Sequence, residues 1–173
     1  MGALYHRIDS WNGDKMNAQS KISISTDLRD GLCFGCGRQN PIGLKLNFKW
    51  DGETARTEFI PAKFYQGWPG LLHGGIIATL LDEAMSYAVR FNGLDFLTAR
   101  IQTNYKRPIK IEESLVIAGS IIRKKGRYIE AKASVSLPDS TVMAEGTGTF
   151  VVIEANQHNA SNNEEESERD VQR

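Results

Sequence analysis

His73-Gly74-Gly75-Ile76-Ile77-Ala78-Thr79-Leu80-Leu81-Asp82-Glu83-Ala84-Met85-Ser86-Tyr87-Ala88-Val89-Arg90-Phe91 is followed by Asn92-Gly93, a helix stop. The stretch is the one convincing helix in the chain. At about 100° per residue its side chains separate into two faces. Ile77, Leu80, Leu81, Ala84, Tyr87, Ala88 and Phe91 fall on the side expected to meet the core. The opposite side carries Gly75, Ala78, Thr79, Asp82, Ser86 and Val89, residues too small for a water-facing surface, so something is expected to pack closely there. Asp82 is the one charge in the middle of that face. Glu83 and Arg90 lie on its flank and read as a solvated pair. Burying a carboxylate is costly unless it is hydrogen-bonded or functional. Asp82 therefore reads as a catalytic base or nucleophile, with a satisfied interface acid as the plain alternative. At the helix start, His73-Gly74-Gly75 leaves backbone N–H groups uncovered by side chains. Such groups lack intrahelical acceptors and carry the positive end of the helix dipole, so they can stabilise an oxyanion.

Outward from the helix, strand signals dominate. Residues 44–50 alternate, with Leu44, Leu46, Phe48 and Trp50 on one face and Lys45, Asn47 and Lys49 on the other. Asp51-Gly52 makes a turn and 54–59 returns as a second strand. Residues 60–72 form a loop carrying Gln66-Gly67-Trp68-Pro69-Gly70. After the helix come strand-like runs at 97–106, 115–124, 128–137 and 141–153, the last three separated by Lys125-Gly126 and Pro138-Asp139. One helix and about six antiparallel strands make a two-layer α+β domain, expected over residues 31–155, with the sheet curled around the helix. Residues 1–30 are polar and irregular. From 156 onward the chain is acidic and reads as a solvated, disordered tail.

The 173 residues carry 21 Lys+Arg against 21 Asp+Glu, a net charge of +0, which argues against nucleic-acid and membrane-surface partners. No apolar run approaches the ~18 residues of a membrane span. The first twenty residues lack the pattern of a secretory signal, so a cytoplasmic location is expected, with Met1 or Met16 as alternative starts. Two cysteines, Cys33 and Cys36, form a CxxC pair in glycine-rich turn chemistry. Structural loop, zinc shared across an oligomer and redox pair all remain open. Zinc needs four ligands, there is no second CxxC, and His73 and His158 are far away in sequence, so no metal is expected.

The run Tyr65-Gln66-Gly67-Trp68-Pro69-Gly70-Leu71-Leu72-His73-Gly74-Gly75, followed by Leu80-Leu81-Asp82-Glu83-Ala84-Met85, resembles the hotdog-fold acyl-CoA thioesterases, and the PaaI-like branch in particular. Cys33-Phe34-Gly35-Cys36-Gly37, Asn40-Pro41-Ile42-Gly43-Leu44 and Asn104-Tyr105-Lys106-Arg107-Pro108 extend the likeness over 31–153. The resemblance implies a curved sheet wrapped around one long helix, paired as a homodimer or a dimer of dimers. It implies hydrolysis of an acyl-CoA thioester, with Asp82 as base or nucleophile and the Gly74 N–H of the other protomer as oxyanion donor. Thr98 would position the attacking water, and His73, at the loop–helix start, would be counted with Asp82, Gly74 and Thr98 among the catalytic residues. Gln66, Gly75, Glu83 and Asn104 would contact substrate. Lys106 and Arg107, or Arg123, Lys124, Lys125 and Arg127, would hold CoA phosphates. No cofactor beyond the CoA of the substrate is implied. A non-catalytic acyl-CoA sensor and a hotdog hydratase are the competing readings. The first would normally carry a DNA-binding segment, absent from 1–30, and the second needs an acid–histidine pair.

Overall fold

The computed structural model describes residues 31–153. The polar segment 1–30, the tail 156–173, both alternative starts, His6 and His158 lie outside the described residues. In chain order the elements are β1 (Lys49–Trp50), β2 (Ala55–Phe59), a 3-10 turn (Lys63–Tyr65), α1 (Gly74–Phe91), β3 (Phe96–Tyr105), β4 (Leu115–Lys125), β5 (Tyr128–Ser136) and β6 (Val142–Val152). The strands form one curved antiparallel sheet in the order β1-β2-β4-β5-β6-β3. Strands β4, β5 and β6 follow one another as hairpins, the first turning at Gly126 with φ of 56°. Helix α1 connects β2 on one side of the sheet to β3 at the far edge, so it must cross beneath the intervening strands. It packs mainly on β4 and β5.

Alternation supplies the sheet's share of the core. Leu115 and Ile117 on β4 and Ile129, Ala131 and Val135 on β5 are fully or almost fully buried, as are Leu80, Leu81, Ala84 and Ala88 of α1. Gly119 sets how closely the two layers approach. A Cβ at that position would lie 2.3 Å from the Ala84 carbonyl oxygen. Only a residue without a side chain lets the helix backbone rest on β4 at this crossing.

Three sequence expectations change. The strand expected over 44–50 is regular only at Lys49–Trp50. Lys45 has φ of 58°, a left-handed conformation that a strand cannot continue through. Leu44 and Leu46 instead give their N–H groups to Phe34 and Gly35 of the cysteine loop, yet Leu44, Leu46 and Phe48 are buried as the alternation requires. Val89, expected on the outer helix face, is completely buried together with Met85. Tyr87 and Phe91, expected in the core, form the flank instead, with Tyr87 stacked on Phe48 at 4.7 Å and Phe91 on Trp50 at 5.5 Å. The buried arc is thus rotated toward Met85 and Val89, because β1 is short and covers only the helix edge.

Candidate active site

Asp82 lies in the middle of α1, half-buried, and its Oδ1 accepts a hydrogen bond from Thr98 Oγ1 at 3.2 Å. Thr98 is near the start of β3, where the pairing with β6 slips between Thr98 and Arg100. Such an irregularity re-aims side chains at a sheet edge. Burial raises the Asp82 carboxyl above the ordinary carboxylate range, and the Thr98 hydroxyl partly offsets this. The pair offers a carboxylate with one oxygen oriented by a hydroxyl donor.

At the other end of the helix, His73 is the N-cap. Its Nδ1 accepts the Gly75 N–H at 2.9 Å, and its carbonyl accepts from Ile76 and Ile77. His73 therefore has a capping role, with one ring nitrogen engaged. Gly75 has its N–H engaged there as well. The Gly74 N–H has no acceptor among the described residues. The Gly74 carbonyl accepts the Tyr105 hydroxyl at 3.0 Å, which ties the helix start to the end of β3. No local pattern announces this tie, although Tyr105 stands within the run Asn104-Tyr105-Lys106-Arg107-Pro108. Helix α1 and strand β3 are thus joined twice, at Thr98–Asp82 and at Tyr105–Gly74. Eight residues of helix separate Gly74 from Asp82, a rise of about 12 Å. Within one chain the open N–H and the carboxylate cannot meet on the same small group.

The remaining candidates are scattered. Gln66 accepts the Gly70 N–H on Oε1 at 3.1 Å and lines a mostly apolar groove of about 670 Å³ with Phe34, Ile42, Phe64, His73, Gly75 and Thr79. Asn104 lies elsewhere, in a depression of about 550 Å³ with Arg56, Lys132 and Glu145. Lys132 alternates with the buried Ala131 and Ala133 that meet the helix, so this depression is on the opposite sheet face. Lys106 is paired with Glu145 at 2.6 Å and Arg107 donates to the Val142 carbonyl at 2.7 Å. Arg123 makes a two-pronged contact with Glu130 at 2.8 and 2.6 Å. Lys124 and Arg127 are exposed on the β4–β5 hairpin, with Arg127 over the Tyr128 ring at 5.5 Å. Sheet register places this hairpin toward the Thr98 end of β3, since Phe150 pairs with both Thr98 and Ile129. Lys106 and Arg107 belong to the opposite end, by Tyr105.

Glu83 is not a solvated flank residue. Its carboxylate sits under the cysteine loop and accepts from Cys33 Sγ at 3.5 Å. Burial raises its pKa, with the neighbouring Asp82 adding to the effect and the Cys33 thiol opposing it. The flank is covered because the loop before β1 folds back over it, which no local pattern announces.

Residues 69–144 match the thioesterase superfamily. The acyl-coenzyme A thioesterase THEM4 of Bos taurus is 34% identical over 137 residues, covering 78% of this chain and 56% of THEM4. The chain thus spans little more than half the length of that relative. Among solved structures, the thioesterase superfamily protein RHA08564 superposes with a TM-score of 0.65 at 27% identity, covering 72% of this chain and 68% of that one. Escherichia coli PaaI, from the phenylacetic acid degradation operon, gives 0.60 at 17% identity over 64% of this chain and 81% of PaaI. A Streptococcus pneumoniae thioesterase solved with coenzyme A gives 0.59 at 20% identity over 62% and 85%. No helix among the described residues is long and apolar enough to cross a membrane.

Proposed function

The chain belongs to the thioesterase superfamily and has its hotdog fold, and from this premise we propose that it hydrolyses acyl-CoA thioesters in a site shared between two chains. The observation that carries the reading is the Thr98–Asp82 hydrogen bond, with the unengaged Gly74 N–H about two helical turns away. A thioester carbonyl needs a donor at its oxygen and a base or nucleophile at its carbon, both within hydrogen-bond reach. One chain supplies both groups, but too far apart. Two chains packed through the small-residue face of α1 bring the donor of one to the acid of the other. The exposed edge strand β3, with Leu97, Ile101 and Tyr105 accessible, supports the same pairing.

In this site the carbonyl oxygen rests on the Gly74 N–H. Asp82 of the second chain takes a proton from water ordered by Thr98, or attacks directly to give an anhydride that water then opens. The thiolate leaves as CoA. Lys124, Lys125 and Arg127 suit its phosphates better than Lys106 or Arg123, whose charges are already matched by Glu145 and Glu130. The bovine relative's name and the CoA-bound neighbour favour an acyl-CoA substrate over other thioesters. A hydratase is disfavoured because, among the described residues, His73 bonds a backbone N–H and has no acidic partner.

The test is a thiol-release screen over short, medium, long and aromatic acyl-CoAs. CoA should appear with at least one acyl class and disappear in Asp82→Asn. Binding of acyl-CoA without release across the panel would leave the sensor reading in its place.

A further inference from the structure

The turn that carries Cys33 and Cys36 is built by hydrogen bonds of its own. The Gly37 N–H closes it on the Cys33 carbonyl at 2.9 Å, and Leu44 and Leu46 donate to Phe34 and Gly35 at 2.8 and 3.0 Å. The Lys45 ammonium donates to the carbonyls of Gly37 at 3.1 Å, Arg38 at 2.9 Å, and Asn40. Two glycines are sterically required. A Cβ on Gly37 would fall 2.3 Å from the Gly31 carbonyl oxygen, and one on Gly35 would fall 2.2 Å from Glu83 Cδ. At Gly35 the loop is therefore pressed onto a side chain of α1, the Glu83 carboxylate.

Through this contact Cys33 Sγ, Cys36 Sγ and a Glu83 carboxylate oxygen come within 4.8 Å of one another. The Cys33 sulfur and Glu83 Oε1 are 3.5 Å apart. Around a tetrahedral zinc ion with bonds of about 2.3 Å to sulfur and about 2.1 Å to oxygen, that separation is about 3.6 Å. We propose that Cys33, Cys36 and Glu83 form a zinc site, with solvent in the fourth position. Two thiolates and a carboxylate combine soft and hard donors, a set that suits zinc, a borderline cation without geometric preference of its own. On binding, the two thiol protons pass to solvent.

The surroundings fit this role better than that of a redox pair. A reactive CxxC needs a thiol whose pKa is lowered by positive charge or a helix N-terminus. Here the group pressed against the two thiols is the Glu83 carboxylate, a negative charge. A cation here fastens the loop before β1 to α1 one residue from Asp82. Cysteine spacing does not reveal the site, because the third ligand is neither a second CxxC nor a nearby histidine but a helix glutamate fifty positions from Cys33.

The full chain, stripped with chelator under reducing conditions, is titrated with cobalt(II) and then zinc(II). One cobalt per chain should bind with a thiolate-to-cobalt charge-transfer band, and zinc should displace it. Cys36→Ser should abolish the band. Glu83→Gln, checked for folding by circular dichroism, should weaken zinc binding at least about tenfold. The wild-type spectrum decides the matter even where a variant misfolds. Absence of the band, unchanged zinc affinity in Glu83→Gln, or a Cys33–Cys36 disulfide in protein prepared without air would each overturn the site.

Discussion

Thr98 Oγ1 donates to Asp82 Oδ1 at 3.2 Å, joining the edge strand β3 to the middle of α1 across sixteen residues of chain. The bond fixes one carboxylate oxygen and leaves the other for a substrate or a water. Replacing Asp82 with Asn keeps the shape and removes the base. Steady-state thiol release should fall by about 10²–10⁴-fold with the fold intact. Thr98→Val should cost roughly tenfold, the worth of one hydrogen bond to a charged acceptor. Full activity in Asp82→Asn would remove Asp82 from the chemistry.

The raised Asp82 pKa predicts opposite trends for activity and stability. The working form is the anion, so the acid limb of kcat/KM should lie above the ordinary aspartate value of about 3.9. Because the folded value exceeds the unfolded one, stability is lost as pH rises through the interval between them, and the loss persists above it. At neutral pH Asp82→Asn should therefore melt higher than the wild type, and the gap should close below the carboxylate range. Calorimetry at both pH values checks this, and a wild type that melts higher at neutral pH would contradict it.

Gly74→Pro isolates the proposed oxyanion donor. Proline is well tolerated at the first helical position, and it demands an extended residue before it, which His73 already is with ψ of 133°. An added Cβ would meet Tyr105 at 3.6 Å, an ordinary contact. The variant should fold normally while turnover drops by about 10²–10³-fold, the scale of one lost donor. Mixed with Asp82→Asn and allowed to exchange subunits, it should regain part of the activity, since one site of each hybrid would be intact. No recovery, with hybrids confirmed by native mass spectrometry, would place both groups in one chain.

Gly119 carries the packing of helix on sheet. With the Ala84 carbonyl oxygen 2.3 Å from any Cβ, Gly119→Ala forces α1 off β4. Denaturant unfolding should show a loss of about 1–3 kcal/mol, the usual scale of overpacking, with a larger loss for Gly119→Val. Stability equal to wild type would mean that the layers are free to separate at this crossing.

Most of the elements are written in local pattern. A 3.6-residue period over 73–91 and a two-residue period in the runs before and after it are local properties, and each was legible within about a dozen positions. Asp82 was legible for the same reason, as a charge among small residues on one helix face. Each side chain's partners come from the way distant segments pack together. Lys45 breaks a strand whose alternation is otherwise sound, because its backbone turns left-handed while its ammonium holds the cysteine loop. Lys106 and Arg123 look available in sequence, yet the register of β3 with β6 and of β4 with β5 sets Glu145 and Glu130 beside them. Glu83 reads as a solvated helix residue until the loop around Cys33 and Cys36 covers it. Periodicity is written in neighbouring residues, whereas a side chain's surroundings depend on which distant segment the fold lays against it.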